Sequence, residues 1–224
     1  MIRIAICVLA LLLAIVFIRF YCILPSSNVH GVNKKNRKLA VFLGSGGHTS
    51  EMLALVSSLD FGRYYPRVYI ISEGDTLSER KAVLLEAKAA RSTSKKTQNP
   101  YTFLVIPRAR KVHQSLLTTP PTALLSFIKC FYHVTIASSY QDASFADVLI
   151  LNGPGTCLVL CLAVYLNKFF GLSSPRMVYV ESFARVRSLS LSGKLLRYFV
   201  DRFIVQWPQL LKDGKRGDCH GWLI

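Results

Sequence analysis

The chain is poor in acidic residues: 12 aspartates and glutamates stand against 28 lysines and arginines, giving a net charge of +16. A balance this basic favours anionic partners, namely nucleic acid, an acidic membrane surface or a diphosphate. The sequence has no long lysine and arginine block with interleaved aromatic residues, and this absence disfavours nucleic acid. We therefore expect no nucleic acid partner, and an anionic lipid surface or a phosphorylated ligand instead.

Sequence motifs of several common site classes are also missing. No C-x-x-C pair occurs among the six cysteines, which favours structural thiols in a reducing compartment over disulfides. The nucleoside triphosphatase pattern G-x-x-x-x-G-K-[ST] is absent, and the dinucleotide pattern G-x-G-x-x-G fails at Thr49. The five histidines are scattered, at His30, His48, His113, His133 and His220. We therefore expect neither a metal nor a resident cofactor.

The N-terminal region is a long apolar run over residues 4–24, interrupted only by Arg19. Such a run can cross a hydrocarbon core of about 30 Å, with Arg19 near its end reaching the headgroups. The alternative is a cleaved signal peptide, but no small-x-small cleavage site follows and bulky aromatic residues crowd the region. The sequence therefore predicts a single transmembrane anchor over residues 1–25.

A basic linker over residues 26–37 follows the predicted anchor. Its basic cluster, continuing into Lys38, outweighs Arg3 and the amino terminus on the other side. The positive-inside rule then places residues 25–224 in the cytosol.

Beyond the linker, apolar runs alternate with helical patterns. The runs typical of strands lie at residues 38–43, 67–71, 101–106, 147–151, 177–180 and 202–205. The helical patterns lie near residues 49–59, 77–90, 115–138, 157–169 and 192–200. The strand runs are rich in valine, isoleucine and leucine without alternation, which indicates burial on both faces. This order predicts an α/β fold, one Rossmann-like doubly wound parallel sheet over residues 38–207.

Polar or glycine-bearing turns follow five of these strands. They lie at residues 44–49, 72–75, 108–111, 152–156 and 181–185. Ligands of open α/β sheets bind outside the carboxyl ends of the strands, so we expect the five turns to outline one binding face. By contrast, residues 91–100 are typical of a mobile loop.

The glycine-rich turn is the most informative of the five. It consists of Gly44, Ser45, Gly46, Gly47, His48 and Thr49, between a strand and a helix. Glycines let backbone N–H groups approach a phosphate, and the helix N-terminus adds partial positive charge. His48 is a candidate general base, or else it caps the helix or binds a ligand phosphate. Glu51 is expected in the first helical turn because of the helix dipole.

Three other segments leave two interpretations each. The turn at residues 152–156 either presents N–H groups to a diphosphate or is an ordinary tight turn. Arg185 either binds phosphate or faces acidic lipid. The unusually apolar segment at residues 115–139 either packs in the core or lies in the membrane interface.

These motifs together resemble a known family. In order and spacing, residues 44–49, residues 152–156 and the pair Glu181 and Ser182 resemble the membrane-anchoring subunits of a two-chain glycosyltransferase. That enzyme is the UDP-N-acetylglucosamine transferase of dolichol-linked oligosaccharide synthesis. The resemblance covers residues 38–224.

The resemblance implies half of a GT-B glycosyltransferase, the N-terminal, acceptor-side half, which is not active alone. A separate soluble catalytic subunit would complete a heterodimer and supply most of the UDP-N-acetylglucosamine site. The complex would add the second N-acetylglucosamine to GlcNAc-diphosphodolichol at the cytosolic face of the endoplasmic reticulum. A self-sufficient membrane-bound Rossmann enzyme using a nucleotide cofactor, and a scaffold without a ligand, are the alternatives.

The resemblance also assigns residues. In related one-chain bacterial enzymes the equivalent glycine-rich turn lies near the acceptor diphosphate, and His48 becomes a better candidate for the base. The expected acceptor diphosphate site comprises Gly44, Ser45, Gly46, Gly47, Thr49, Asn152, Gly153, Gly155, Thr156, Glu181 and Arg185. In the family the C-terminal tail, residues 208–224 here, docks the soluble partner, and the expected contacts are Trp222, Leu223 and Ile224.

Overall fold

The computed structural model describes residues 1–25, 36–92, 101–110, 114–137, 144–153 and 155–223. The predicted linker and the loop predicted at residues 91–100 lie mostly outside these residues, as do Pro154 and Ile224.

Seven parallel strands form one sheet. They are β1 Leu39–Leu43, β2 Arg67–Ser72, β3 Tyr101–Ile106, β4 Val148–Leu151, β5 Arg176–Val180, β6 Arg202–Val205 and β7 Asp218–Cys219. Their order in the sheet is β3-β2-β1-β4-β5-β6-β7. The order reverses direction between β1 and β4, which is the topological switch of a doubly wound sheet. The predicted fold is confirmed, and β7 is an addition that two residues were too few to signal.

In the described residues six α-helices accompany the strands. They are α1 Ile2–Ile23, α2 Gly46–Ser57, α3 Thr76–Ser92, α4 Thr119–Phe131, α5 Thr156–Phe169 and α6 Leu191–Leu196. A 3₁₀ turn precedes α4 and a π-helical segment, Tyr132–Ala137, continues it, while a second 3₁₀ turn covers Pro208–Leu211. Two predicted boundaries are wrong. Helix α2 begins three residues earlier than expected, and α6 ends at Leu196, after which the N–H of Phe199 donates to the carbonyl of Leu196 in a tighter turn.

The sheet is buried on both faces, as the composition of its strands predicted. In β1, Ala40 and Phe42 pack in a cluster with residues of α4 and α5. Their neighbours Leu39, Val41 and Leu43 pack in a second cluster with residues of α2 and α3. Alternate side chains of a strand point to opposite faces, so the helices cover both sides of β1.

Helix α4 answers the question left open for the apolar segment at residues 115–139. Its inner face is buried at Ser126 and Cys130. Its outer face exposes Leu124, Ile128 and Tyr132, which follow one another at helical spacing. The segment therefore contributes to the core and also presents an uncovered apolar stripe.

Helix α1 is the one helix in the described part of the chain that is long and apolar enough to cross a membrane. It has 22 residues, a mean hydropathy of 2.8 and no buried residue. Near its end, Arg19 donates from Nε to the carbonyl of Phe169 and from Nη2 to that of Lys168, both at 2.9 Å. These carbonyls belong to the last turn of α5, where a cation is favourable. Arg19 thus contacts the end of α5, a partner that the sequence did not predict.

Candidate functional site

The centre of the candidate site is the crevice at the topological switch. Strands β1 and β4 are hydrogen-bonded neighbours, so the turns that follow them lie side by side. Helix α2 begins after the first turn and α5 after the second, with 12 and 14 residues. The first N–H groups of a helix have no partner within the helix and carry partial positive charge. Two such ends beside each other form a concentrated donor site for a phosphorylated group.

The glycine-rich turn has an uncommon backbone. Ser45 has φ 65° and ψ 156°, and Gly46 has φ 57°. A non-glycine residue in this region is strained by about 1–3 kcal/mol, and such strain is concentrated at functional sites. Apart from their chain neighbours and the backbone of α2 itself, no described atom lies within 4 Å of the positions where side chains on Gly46 and Gly47 would begin. The first turn of α2 therefore faces open space that a ligand can fill.

His48 lies in the first turn of α2 and meets the turn after β4. Its Nδ1 is 2.7 Å from Oδ1 of Asn152. The backbone of Gly153 packs against the ring so closely that a Cβ at that position would lie 3.0 Å from Cγ of His48. Gly153 also has φ 110°, a conformation suited to glycine. The two predicted turns thus converge on one imidazole, which is held on two sides.

A carboxylate that the sequence interpretation had placed elsewhere joins this pair. Glu51 lies in the second turn of α2, not the first, because the helix begins at Gly46. Its Oε2 accepts from Nδ2 of Asn152 at 3.0 Å, and its Oε1 accepts from Oγ of Ser182 at 2.8 Å. Glu51 therefore connects the turns after β4 and β5. Its partners lie more than 100 residues away in the chain, so no local pattern could have revealed this contact.

Glu181 lies beside this network, but its carboxylate accepts hydrogen bonds from residues of its own loop. The residue is 1% exposed. Its Oε1 accepts from N of Ser182 at 3.2 Å, and its Oε2 accepts from both N and Oγ of Ser190 at 3.0 Å. Any side chain at position 193 would collide with this carboxylate, which accounts for Gly193 there. Glu181 shapes the turn after β5 from inside.

The two predicted threonines are buried as well. Oγ1 of Thr49 forms a 2.6 Å hydrogen bond with Oγ of Ser78, which donates to Oδ2 of Asp75 at 2.8 Å. Oγ1 of Thr156 accepts from N of Ala109 at 3.2 Å. Both hydroxyls therefore join neighbouring elements at the carboxyl ends of the strands.

The C-terminal segment folds back onto the same rim. The rings of Phe183, Trp207 and Trp222 form a cluster with centroids 5.1 to 5.9 Å apart. Nε1 of Trp207 donates to the carbonyl of Phe183 at 2.7 Å, and N of Leu223 donates to Oε1 of Gln206 at 3.2 Å. Trp222 nevertheless remains 69% exposed. The exposed indole of Trp222 therefore packs against Phe183, the residue after Ser182, and Arg185 is exposed on the same turn.

Buried thiols line the core behind the site. Burial raises the pKa of Cys130 to about 12 and also raises the pKa of Cys157 and Cys161. All six cysteines are free. Across the described residues, no group of three or more histidine, cysteine, aspartate or glutamate side chains is arranged to hold a metal ion.

Comparisons with known proteins give a consistent result. A family model described as "Oligosaccharide biosynthesis protein Alg14 like" matches residues 39–223. The chain is 46% identical over 206 residues to the UDP-N-acetylglucosamine transferase subunit ALG14 of Cryptococcus neoformans var. neoformans serotype D (strain JEC21 / ATCC MYA-565), covering 90% of this chain and 86% of that protein. Against the subunit of the same name from Rattus norvegicus it is 38% identical over 211 residues, covering 92% and 93%.

Among solved structures, the fold is similar to that of MurG from Acinetobacter baumannii, a GT-B protein. The TM-score is 0.50 at 13% sequence identity, over 80% of this chain. The chain spans 43% of the MurG chain. This likeness concerns the fold alone.

Proposed function

The chain belongs to the Alg14 family, and on that basis we propose that it is the membrane-anchoring, acceptor-binding subunit of a UDP-N-acetylglucosamine transferase. A separate soluble subunit supplies most of the donor site. The heterodimer adds the second N-acetylglucosamine to GlcNAc-diphosphodolichol at the cytosolic face of the endoplasmic reticulum, in the synthesis of the N-glycan precursor. The observation that carries the proposal is identity to ALG14 transferase subunits across about nine-tenths of both chains.

The fold is consistent with this division of labour. The described residues form one doubly wound sheet, and the chain spans 43% of the MurG chain. A GT-B enzyme has two such domains with the reaction between them, and we assign the second of these domains to the proposed soluble subunit.

The acceptor diphosphate is proposed to bind at the paired N-termini of α2 and α5. The N–H groups around Gly46, Gly47 and Gly155 donate to its oxygens, and Arg185 adds charge from the rim. Gly44 and Ser45 set the turn, and Gly153 keeps the imidazole in place. Thr49, Asn152, Thr156 and Glu181 are buried supports of this site, since their polar atoms contact other protein groups.

His48 is proposed as the general base of the transfer. The acceptor hydroxyl gives its proton to Nε2 of His48 while its oxygen forms the new bond to the anomeric carbon of N-acetylglucosamine. The bond between that carbon and the diphosphate oxygen breaks, and UDP leaves with the bonding electrons. Within the described residues Nε2 makes no hydrogen bond, whereas Nδ1 is held by Asn152.

Membrane attachment is proposed to rest on α1 as a single-pass anchor, with the basic linker on the cytosolic side. The Arg19 contact joins this anchor to α5, and α4 packs against the same core cluster. The outer apolar stripe of α4 is therefore within reach of the membrane surface, where lipid would cover Leu124 and Ile128.

The decisive test is transfer of labelled N-acetylglucosamine from UDP-N-acetylglucosamine to a GlcNAc-diphospho-isoprenoid. It is measured with this chain alone, with the soluble subunit alone and with both. We expect product only from the mixture. Product from this chain alone would show that the donor site is complete here and would overturn the proposal, as would no product from the mixture.

The exposed indole of Trp222 is proposed to dock the soluble subunit, together with Leu223 and Ile224. We expect Trp222→Ala to weaken the partner's affinity by about 30-fold or more, as loss of an aromatic interface anchor does. Affinity is measured by titrating labelled partner onto the membrane-bound chain.

Leu77→Ala is the matched control for that titration, because Leu77 is an exposed apolar residue on α3. It should leave the affinity unchanged, and both variants should remain in the membrane fraction. Equal affinity of the wild type and Trp222→Ala would contradict docking at this tail.

A further inference from the structure

We propose that Glu51 is a positioning residue of this site: it orients the side-chain amide of Asn152 and, through that amide, sets the tautomer of His48. The inference rests on the proposed function in one respect, because the tautomer matters to catalysis only if His48 is the base. The arrangement itself is a property of three side chains from two turns of the sheet.

The orientation of Asn152 follows from the chemistry of its neighbour. A carboxylate can only accept hydrogen bonds, whereas an amide has a donor end and an acceptor end. Oε2 of Glu51 lies 3.0 Å from one end of the Asn152 amide, so that end is the NH₂ group. The carbonyl end, Oδ1, must then face the imidazole, and it lies 2.7 Å from Nδ1 of His48. This assignment requires no choice between the two possible amide flips.

The tautomer of His48 follows from the same reasoning. Oδ1 of Asn152 is an acceptor only, so Nδ1 of His48 must carry a proton to make the 2.7 Å contact. In a neutral imidazole the other nitrogen, Nε2, then holds the lone pair. A general base needs that lone pair on the nitrogen facing the substrate.

Glu51 is itself held in place, so its carboxylate can fix the orientation of the Asn152 amide. It belongs to the rigid second turn of α2, and Oγ of Ser182 donates to its other oxygen at 2.8 Å. Asn152 is completely buried and Ser182 is almost so. Because both carboxylate oxygens have donors from different turns, the carboxylate cannot rotate without breaking a partly buried hydrogen bond.

Two substitutions of Glu51 separate the hydrogen-bonding role from mere bulk. In Glu51→Ala nothing opposes rotation of the Asn152 amide, which can then offer NH₂ to Nδ1 and drive the imidazole proton to Nε2. In Glu51→Gln the new amide oxygen still accepts from Asn152, and its NH₂ can donate to Oγ of Ser182. Glu51→Gln should therefore preserve the tautomer that Glu51→Ala loses.

The test is ¹⁵N nuclear magnetic resonance of the full chain with labelled histidine, in complex with its partner and in alkaline buffer where imidazoles are neutral. His48→Ala identifies the signal. We expect the Nδ1–H tautomer in the wild type and in Glu51→Gln, and a shift to Nε2–H in Glu51→Ala. In parallel, Glu51→Ala should lower kcat by about 10- to 100-fold with KM for UDP-N-acetylglucosamine unchanged, and Glu51→Gln should restore kcat to within about threefold.

Glu79→Ala, which removes an exposed carboxylate in the first turn of α3, is the control and should change neither the tautomer nor kcat. A Glu51→Ala protein that keeps the Nδ1–H tautomer overturns the inference, whatever its activity. If instead His48→Ala remains active, the proposed base is wrong, yet the tautomer measurement still decides whether Glu51 orients Asn152. The two failures are therefore distinguishable.

Discussion

Replacing His48 by alanine is expected to lower kcat of the assembled transferase by about 100- to 1,000-fold, the range that a lost general base produces. The imidazole lies at the junction of the two turns, with Nδ1 held 2.7 Å from Oδ1 of Asn152. Without it the acceptor hydroxyl must lose its proton to water. No hydrogen bond joins His48 to the described residues of the anchor or the tail, so membrane attachment and partner affinity should not change.

A second variant separates loss of the base from loss of shape. His48→Gln can still donate a hydrogen bond to Oδ1 of Asn152 but cannot accept a proton at working pH. It should be nearly as inactive as His48→Ala, with a thermal unfolding temperature close to that of the wild type. A transfer rate of His48→Gln within about threefold of the wild-type rate would contradict the proposal that His48 is the base. It would show instead that His48 has a structural role.

Replacing Glu86 by alanine is expected to lower the free energy of unfolding by about 3–5 kcal/mol, the cost of leaving a buried partner charge alone. Arg67 and Glu86 are 3% and 4% exposed. The guanidinium donates from Nε and Nη2 to the two carboxylate oxygens at 2.6 and 2.7 Å, and the Tyr69 hydroxyl donates to Oε1 at 2.7 Å. Burial first, and then the Glu86 carboxylate, raise the pKa of Tyr69, so its hydroxyl stays protonated as a donor.

The matched control is the exposed pair formed by Arg202 and Asp218, joined at 3.0 Å. Asp218→Ala should cost less than about 1 kcal/mol, because solvent already screens that pair. Denaturant unfolding followed by tryptophan fluorescence measures both variants. If Glu86→Ala lowered the free energy of unfolding by less than about 1 kcal/mol, the prediction would be wrong, because other groups would then be compensating the buried charge of Arg67. The double change Arg67→Met with Glu86→Leu should recover most of the lost stability, since it leaves no buried charge behind.

The sequence predicted more of the fold than of the contacts within the candidate site. Strand runs, the order of strands and helices, and the apolar N-terminal helix were all predicted, because each is written in consecutive residues. The start of α2 was misjudged because Gly46 and Gly47 are usually helix breakers. At the first turn of a helix their N–H groups are unpaired anyway, so glycine costs less there. Strand β7 was missed because two residues show no alternation.

Within the site, the sequence pointed to both turns and to His48, but it assigned Glu51 to the helix dipole. The two outcomes differ because one feature depends on neighbouring residues and the other on residues far apart in the chain. A glycine-rich turn before a helix has a local signature, whereas the use of Glu51 depends on which side chains the folded sheet brings opposite it. The contact of Arg19 was not predicted for the same reason, since its acceptors belong to the distant end of α5.

Local chemistry along the chain was thus sufficient to predict an apolar N-terminal helix, a parallel α/β sheet and a glycine-rich turn between its first strand and the helix that follows. Tertiary structure alone decided the pairs that give these parts a common purpose: His48 with Asn152, Glu51 with Ser182, and Arg19 with Phe169. Those partners are 104, 131 and 150 residues apart. A hydrogen bond requires a separation near 3 Å, and that distance is set by the order of strands in the sheet, which differs from their order in the chain.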